Sequence, residues 1–146
     1  MNQFDERILR KLKFNGRLSN VELAESIGLS PSATLRRVQD LERNGVIKSY
    51  RAVLDPNKLG IHFVAYVTIG LSNHSKKSQL EFEEHIKVAN EVTECHNVTG
   101  EKEYLLRVET TDLTAYKRFH SDVLGEIPQV NSIQTLVVME SPKDER

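Results

Sequence analysis

The chain has 146 residues, of which 38% are hydrophobic and 28% charged, a composition typical of a folded globular protein rather than a disordered one. It contains no run of about 18 apolar residues, so the sequence predicts no membrane span. The first residues, Met1 to Arg7, already include charged side chains and lack the apolar stretch of a secretion signal. We therefore expect a cytoplasmic protein.

The net charge of −1 is distributed unevenly along the chain. Residues 1–58 carry 11 Lys and Arg against 7 Asp and Glu, a net of +4, whereas residues 59–146 carry 9 against 14, a net of −5. The first part therefore suits a polyanionic partner better than the second. Charge alone does not decide this, because a mixed charged face is usually just solvated surface.

Three helices are predicted in the first 45 residues. Residues 3–14 carry Phe4, Ile8, Leu9 and Leu12 at helical spacing. A second helix begins at a capping box formed by Ser19 and Glu22 and ends at Gly28. A third follows a three-residue turn, with Ser30 as N-cap, Pro31 at the first helical position and an inward stripe of Leu35, Val38 and Leu41.

The segment after the third helix, residues 46–54, is rich in β-formers and predicts one or two short strands, a β-wing. We therefore expect a winged helix-turn-helix domain over residues 1–55, followed by a linker at 56–61. In such a domain the second helix of the pair lies in the DNA major groove. The alternative is an ordinary three-helix bundle whose polar face is merely solvated.

The DNA-contacting residues are expected near the N-terminus of the third helix. Ser and Thr hydroxyls can bond bases or phosphates, an alanine offers apolar contact, and arginine suits guanine or phosphate. The N-cap also leaves helix N–H groups free for a phosphate. The predicted contacts to double-stranded DNA are Ser30, Pro31, Ser32, Ala33, Thr34, Arg36 and Arg37.

Residues 62–140 predict a β-α-β-β-α-β, ferredoxin-like domain, which makes the fold class α+β. The predicted strands are 62–71, 92–98, 103–109 and 130–139. One helix opens at a capping box of Ser78 and Glu81, the other is capped by Asp112, and a polar tail covers residues 141–146.

With both helices on one face, the other face of the sheet would be bare. It would expose an apolar patch larger than a monomer normally tolerates, so we expect a homodimer formed by two sheets face to face. The candidate residues, whose strand face the sequence leaves open, are Val64, Tyr66, Val92, Val98, Val137 and Met139.

No enzyme motif is found in the sequence: it has no Gly-x-Ser-x-Gly, no phosphate-binding loop and no Gly-x-Gly-x-x-Gly. Cys95 and His96 are neighbours on a predicted strand and would point to opposite faces, which does not suit one metal centre. Cys95 is expected to be a buried small side chain without a redox role. No metal and no cofactor are predicted, and the stronger rival to a DNA-binding protein is an interaction module that has lost DNA binding.

A series of short motifs runs through the chain in order: Asp5 to Leu9, Gly16 to Ala24, Gly28 to Ser32, Leu35 to Val38, Leu41 to Ile47, Cys95 to Gly100, Tyr104 to Leu106 and Thr135 to Glu140. Together they resemble the leucine-responsive and asparagine regulators, the Lrp/AsnC family of transcriptional regulators, over nearly the whole chain. The resemblance implies sequence-specific DNA binding by the winged helix-turn-helix. It also implies a RAM-type second domain that dimerises, dimers that assemble further, often to octamers, and an amino acid bound between dimers.

The same resemblance implies where the amino-acid effector binds: Asn97, Thr99, Gly100, Glu101, Lys102, Glu103, Tyr104, Leu113, Thr135, Leu136, Val137 and Val138. In this region the chain departs from the family pattern, because Lys102 replaces an aromatic residue and Glu103 an aspartate. Glu101 or Glu103 could accept the ammonium group of an amino acid, and Lys102 could bind a carboxylate. Alternatively, Lys102 fills the site and the regulator has no effector.

Overall fold

The computed structural model describes all residues from Met1 to Arg146, and the chain divides into two compact units, Met1–Val53 and Leu54–Arg146. The first unit is helical and the second contains one four-stranded sheet with two α-helices. The predicted α+β fold class is therefore confirmed. None of the helices is long and apolar enough to cross a membrane.

The first unit contains α1 (Gln3–Phe14), α2 (Asn20–Ile27) and α3 (Pro31–Arg43). The predicted N-caps are formed, since the hydroxyl of Ser19 accepts from the backbone N–H of Glu22 and that of Ser30 from Ala33, at 3.1 and 3.2 Å. The reciprocal bond of the predicted capping box, from the Ser19 N–H to the Glu22 carboxylate, is not formed. Apolar side chains from the three helices make one small core: Ile8, Leu23, Ile27 and Leu41.

The predicted inward stripe of α3 is wrong by one residue at its start. Leu35 is 46% exposed, whereas Thr34 is fully buried in its place. At about 100° per residue, positions 34, 38 and 41 fall within roughly 60° of one another, but 35, 38 and 41 spread over roughly 120°. The narrower stripe packs onto the core, and Leu35 is left on the surface.

The prediction of one or two short strands after α3 is wrong, because residues 46–54 contain no strand. The N–H groups of Val46 and Ile47 both donate to the carbonyl of Leu41, so this part of the segment still belongs to the end of α3. Farther on, Val53 is 87% exposed. A β-former becomes a strand only when a second strand supplies ladder hydrogen bonds, and this unit contains none.

The second unit has the predicted β-α-β-β-α-β order. Its elements are β1 (Phe63–Leu71), α4 (Lys76–Lys87), β2 (Val92–Asn97), β3 (Tyr104–Thr110), α5 (Leu113–Asp122) and β4 (Val130–Val137). The strands are antiparallel in the order β2-β3-β1-β4, and short 3-10 turns lie at Asn57–Leu59 and Leu124–Glu126. Alternate residues of β1, beginning with Phe63, are buried against the helices, as the alternating sequence predicts.

The predicted cap of α4 lies three residues too late in the chain. The helix is capped by Ser75, whose hydroxyl accepts from the backbone N–H of Ser78 at 3.2 Å. Ser78 is therefore the recipient of the cap and is itself buried. A Ser-x-x-Ser sequence offers two candidate caps, and the packing of the first turn selects the earlier one. The cap of α5 is Asp112, as predicted.

The sheet has a helix face and an open face, and the pairing register assigns residues to them. Val137 is opposite Ala65, which is fully buried, and Val92 packs against the same core, so both lie on the helix face and not on the bare face. The open face contains Val64, Tyr66, Leu105, Leu136 and Val138. Two of the predicted residues, Val64 and Tyr66, are thus placed correctly by alternation.

A polar cluster lies at one side of the open face. Arg107 is only 6% exposed and donates to the Tyr66 hydroxyl at 2.9 Å and to Glu109 at 3.1 Å. The polar tail reaches this cluster, since the Arg146 guanidinium lies 3.7 Å from a Glu94 carboxylate oxygen. The open face is therefore apolar around Leu136 and ionic around Arg107.

Candidate functional site

The helix-turn-helix is formed by α2, the turn at Gly28 to Ser30, and α3. Gly28 ends α2 with φ of 78°, a left-handed conformation that glycine adopts at little cost. The side-chain amide of Asn20 donates to the carbonyl of Pro31 at 2.7 Å and ties the start of α2 to the start of α3. These contacts fix the direction in which α3 leaves the turn.

Most of the predicted DNA-contacting residues are accessible on α3. Ser30, Pro31, Ser32 and Arg36 are exposed and Ala33 is half-buried. Thr34 is fully buried, and its hydroxyl donates to the carbonyl of Ser30 at 2.9 Å. A side chain without solvent access cannot reach a base edge, so the prediction that Thr34 contacts DNA is wrong.

Arg37 is engaged inside the unit rather than directed at a ligand. Its guanidinium donates to the Asp5 carboxylate at 3.2 Å and lies over the Phe4 ring, 5.3 Å from the ring centroid. The side chains of Arg37 and Asp5 are 29% and 21% exposed. Arg37 therefore holds α3 against α1, and its predicted role as a DNA contact stays a prediction. The neighbouring Arg36 is exposed and forms no ion pair.

Two residues that the sequence analysis did not select share the exposed side of α3. Leu35 is 46% exposed and Gln39 is exposed, and both lie on the same side of the helix as Ser32 and Arg36. The signal was present in the sequence as an i, i+3, i+4, i+7 spacing. It was missed because Leu35 was assigned to the core.

The predicted effector region begins at the hairpin between β2 and β3, where Lys102 is tied across the open face. Its ammonium group donates to the Ser132 hydroxyl at 2.9 Å. The side chain passes over Gly70: a Cβ at this position would lie 2.4 Å from the Ser132 oxygen and 3.3 Å from Lys102 Cδ. A side chain at position 70 would therefore force the Ser132 hydroxyl or the Lys102 side chain to move.

Glu103 is held by the end of β1. One carboxylate oxygen accepts the backbone N–H of Leu71 at 2.8 Å and the other contacts the imidazole of His74. Partial burial tends to raise the pKa of the Glu103 carboxyl, but the hydrogen bonds and His74 outweigh it and hold the pKa below its ordinary value. Its negative charge is therefore already used within the chain.

Tyr104 and Asn97 close the hairpin on the helix face. Tyr104 is 1% exposed, and its hydroxyl donates to the Glu83 carboxylate on α4. Burial and this carboxylate raise the pKa of the Tyr104 hydroxyl. Asn97 donates to the Glu103 carbonyl at 3.4 Å. Thr99, Gly100 and Glu101 are exposed at the tip, where the Glu101 carboxylate has no partner in the chain.

The remaining predicted effector residues lie at the other edge of the sheet. Thr135 to Val138 lie in or just after β4, where Thr135 bonds the Tyr116 hydroxyl, and Leu113 begins α5 and is 65% exposed. β2 and β4 are the two edge strands, and β3 and β1 separate them. Lys102 reaches Ser132 at the start of β4, but the separation along the strands is larger. Tyr104 pairs with Ile69 near the end of β1, whereas Leu113 follows Thr110, which pairs with Phe63 at its start, so six residues of about 3.4 Å put Leu113 about 20 Å from the hairpin. One chain therefore does not bring the two groups together.

Cys95 is exposed, so the prediction that it is buried is wrong. Its thiol lines a groove between β2 and α4 with Glu83 and Lys87, and this partial desolvation together with the Glu83 charge raises the pKa of Cys95 to about 11. At neutral pH the thiol is protonated and a weak nucleophile. The groove therefore provides no reactive cysteine.

The fold and the two regions define a helix-turn-helix DNA-binding protein that also carries a ligand-binding domain, and comparison with known proteins agrees. The profile of the winged helix-turn-helix DNA-binding domain matches residues 1–48, and that of the Lrp/AsnC ligand binding domain matches residues 64–146. The chain belongs to the Lrp/AsnC family of transcriptional regulators.

Individual relatives are similar over nearly their full length. The chain is 38% identical to the leucine-responsive regulatory proteins of Klebsiella pneumoniae and of Escherichia coli K12 over 143 residues, 98% of this chain and 87% of theirs. Its structure resembles that of a Neisseria meningitidis transcriptional regulator in complex with L-methionine, with a TM-score of 0.95, 34% identity, and coverage of 99% of this chain and 93% of that one. It also resembles E. coli AsnC, with a TM-score of 0.89, 26% identity, and coverage of 99% and 95%.

Proposed function

We propose that this regulator binds duplex DNA through the exposed side of α3 and through the helix N-terminus at Ser30. The observation that carries the proposal is Arg36, an exposed guanidinium without an ion pair, on the second helix of a capped helix pair in a unit of net positive charge. Ser30, Pro31, Ser32 and Ala33 remain the proposed contacts beside it. Thr34 and Arg37 are removed because each is used within the unit.

Titration of the full chain against genomic duplex fragments at several salt concentrations tests this proposal. Each phosphate that the protein neutralises should contribute about −0.9 to the slope of log affinity against log salt. Arg36→Ala should weaken binding, whereas Glu25→Ala, an exposed change on α2, should not. If no fragment binds even at low salt, the chain is better explained as an interaction module without DNA binding.

The proposed effector is an amino acid. Support comes from the match to the ligand-binding domain and from the similar Neisseria meningitidis regulator, whose structure contains L-methionine. At the hairpin tip, Glu101 has a carboxylate available for an ammonium group, and the backbone of Gly100 is exposed for a carboxylate. Lys102 and Glu103 are assigned a positioning role, because Ser132, Leu71 and His74 already occupy their charged groups.

An amino acid is too small to span the distance of about 20 Å between the start of the hairpin at Tyr104 and Leu113 at the start of α5. We therefore propose that the hairpin of one chain and the Leu113 and β4 residues of another form the binding cleft together. This arrangement requires an assembly larger than one chain, in keeping with the expected homodimer and octamer. The effector would then couple to DNA binding through the assembly, and linkage makes that coupling reciprocal.

The proposed dimer contact is the open face of the sheet, where Leu136 is 47% exposed among Val64, Leu105 and Val138. Leu136→Asp should convert the dimer to a monomer in sedimentation velocity, because the change would bury a charge in the contact. Leu80→Asp is the matched control: Leu80 is 50% exposed on α4, away from this face. Dissociation by both variants, or by neither, would argue against this contact.

A thermal-shift screen with the twenty amino acids tests the effector. A ligand that binds the folded protein raises the melting midpoint, and Glu101→Gln should weaken that shift by the loss of one charge-assisted hydrogen bond, about 1.5–3 kcal/mol. If no amino acid raises the midpoint, the regulator works without an effector of this class. The proposed function is regulation by binding and needs no catalytic step. The proposed location is the cytoplasm, because the family consists of transcriptional regulators.

A further inference from the structure

The exposed side of α3 combines four residues of different recognition chemistry: Ser32, Leu35, Arg36 and Gln39. We propose that Leu35 and Gln39 are base-reading residues, with Leu35 against a thymine methyl group and Gln39 on the major-groove edge of an adenine. This inference rests on the proposed DNA binding by α3 and specifies which bases that helix distinguishes.

The helical geometry places these residues on one narrow stripe. At about 100° per residue, positions 32, 35, 36 and 39 fall within roughly 100° of one another, on the side opposite the buried Thr34, Val38 and Leu41. The seven-residue span is about 10 Å long at 1.5 Å per residue, or about three base steps of 3.4 Å. The i, i+3, i+4, i+7 spacing is also the one by which the homeodomain recognition helix reads bases.

The internal contacts of α3 select these residues over its other polar side chains. Arg37 is bound to Asp5, and Arg43 donates to Asp40 at 2.8 Å. The amide of Gln39 is exposed and has no hydrogen-bond partner within the chain, so both its donor and its acceptor are available. Gln39 can therefore pair with a base without first losing a contact.

Leu35 is the one large apolar side chain on this stripe, and it is 46% exposed. A leucine beside an arginine on a DNA-binding helix has a suitable apolar contact in the groove, the C5-methyl group of thymine. Gln39 can donate to adenine N7 and accept from adenine N6, a bidentate pairing that no other base offers in the same arrangement. The two residues thus predict A·T-dependent positions beside the arginine contact.

The test begins with selection of bound duplexes from a random-sequence pool by the full-length protein. In the selected duplex, each adenine is then replaced in turn by 7-deazaadenine, which lacks the N7 acceptor, and each thymine by uracil, which lacks the methyl group. For the wild type we expect one adenine position to weaken binding about 2- to 12-fold, the value of one hydrogen bond. One thymine position should weaken it about 4-fold, the value of one buried methyl-sized group.

The variants assign these effects to residues. In Gln39→Ala the 7-deazaadenine effect should disappear, and discrimination against other base pairs at that position should fall by about 5- to 150-fold. In Leu35→Ala the uracil effect should disappear while the adenine effect remains. Gln39→Glu should shift the preference at its position toward cytosine, whose N4 group donates to a carboxylate. Gln3→Ala, an exposed glutamine on α1, should keep both effects.

The outcomes distinguish base reading by Leu35 and Gln39 from the proposed DNA binding by α3. If the wild type enriches a sequence and Gln39→Ala and Leu35→Ala retain every analogue effect, the two residues do not read bases, although DNA binding by the chain stands. If the wild type enriches no sequence and binds no duplex, the DNA-binding role of α3 fails and this inference fails with it. Unchanged melting midpoints of the variants would exclude unfolding as the cause of any loss.

Discussion

The contrast between Arg36 and Arg37 gives the most direct check of how α3 is used. Arg37→Ala removes an ion pair at 3.2 Å to Asp5 and the contact with the Phe4 ring. A hydrogen bond between charged groups contributes about 1.5–3 kcal/mol, and an exposed cation–π contact about 0.5–1 kcal/mol. Because both members of the ion pair retain some solvent exposure, we expect a total loss of about 1.5–3 kcal/mol in the first unit.

Hydrogen exchange of the full chain measures this loss locally. In Arg37→Ala the amides of α3 should open about 10- to 150-fold more often than in the wild type, while the amides of β1 should be unchanged. Arg36→Ala is the matched control: an exposed arginine without an ion pair should alter the opening free energy by less than about 0.5 kcal/mol. In DNA binding the order should reverse, with Arg36→Ala losing affinity and Arg37→Ala remaining near the wild type.

A double-mutant cycle of Arg37→Ala with Asp5→Ala identifies the contact responsible. The loss of stability in the double variant should be smaller than the sum of the losses in the single variants, because either single change already breaks the ion pair. Our reasoning would be refuted by α3 protection that is equal in Arg36→Ala and Arg37→Ala, together with loss of sequence preference in Arg37→Ala. Such a result would mean that Arg37 faces the DNA.

Three further predictions concern the second unit. Ser75→Ala should lower the stability of the second unit by about 1 kcal/mol through loss of the α4 cap. A larger loss in Ser78→Ala than in Ser75→Ala would instead indicate that Ser78 caps this helix. The pKa of Glu103 is lower in the folded chain than in the unfolded chain, so its stabilisation is complete above the ordinary carboxyl pKa and is lost as pH falls through the folded pKa. Glu103→Gln should therefore reduce the fall of the melting midpoint at acidic pH. An unchanged fall of the midpoint in this variant would contradict the assignment. Gly70→Ala should displace the Ser132 hydroxyl and cost about 1 kcal/mol in urea denaturation, with most of the loss absent in a Ser132→Ala background.

Local signals in the sequence predicted the elements well. The caps at Ser19, Ser30 and Asp112 and the alternation that begins at Phe63 were identified correctly because each depends on neighbours within a few residues. The family resemblance of the motifs was likewise confirmed by the profile matches to both domains. Where two local signals competed, as at Ser75 and Ser78, the sequence had no means of choosing between them.

The errors share a different origin, since each required knowledge of a distant partner. The segment after α3 has the composition of a strand, but a strand forms only with another strand beside it. Thr34 has a hydroxyl suited to DNA, but this side chain is buried in the core and bonded to the Ser30 carbonyl. Val92 and Val137 were candidates for the open face whose side the sequence left undecided, because the alternation does not reveal which face meets the helices; the strand register and core packing assign both to the helix face.

By itself the sequence determined the class of the protein, the two-part fold and the position of the helix proposed to contact DNA, because caps, periodicity and the order of motifs depend on residues that are near one another along the chain. The tertiary structure decided which side chains of that helix are free. It showed Arg36 exposed and Arg37 bound to Asp5, although the two are adjacent in the sequence and chemically identical. The rotation of α3 about its axis separates them, and only the packing of three helices around a shared core sets that rotation.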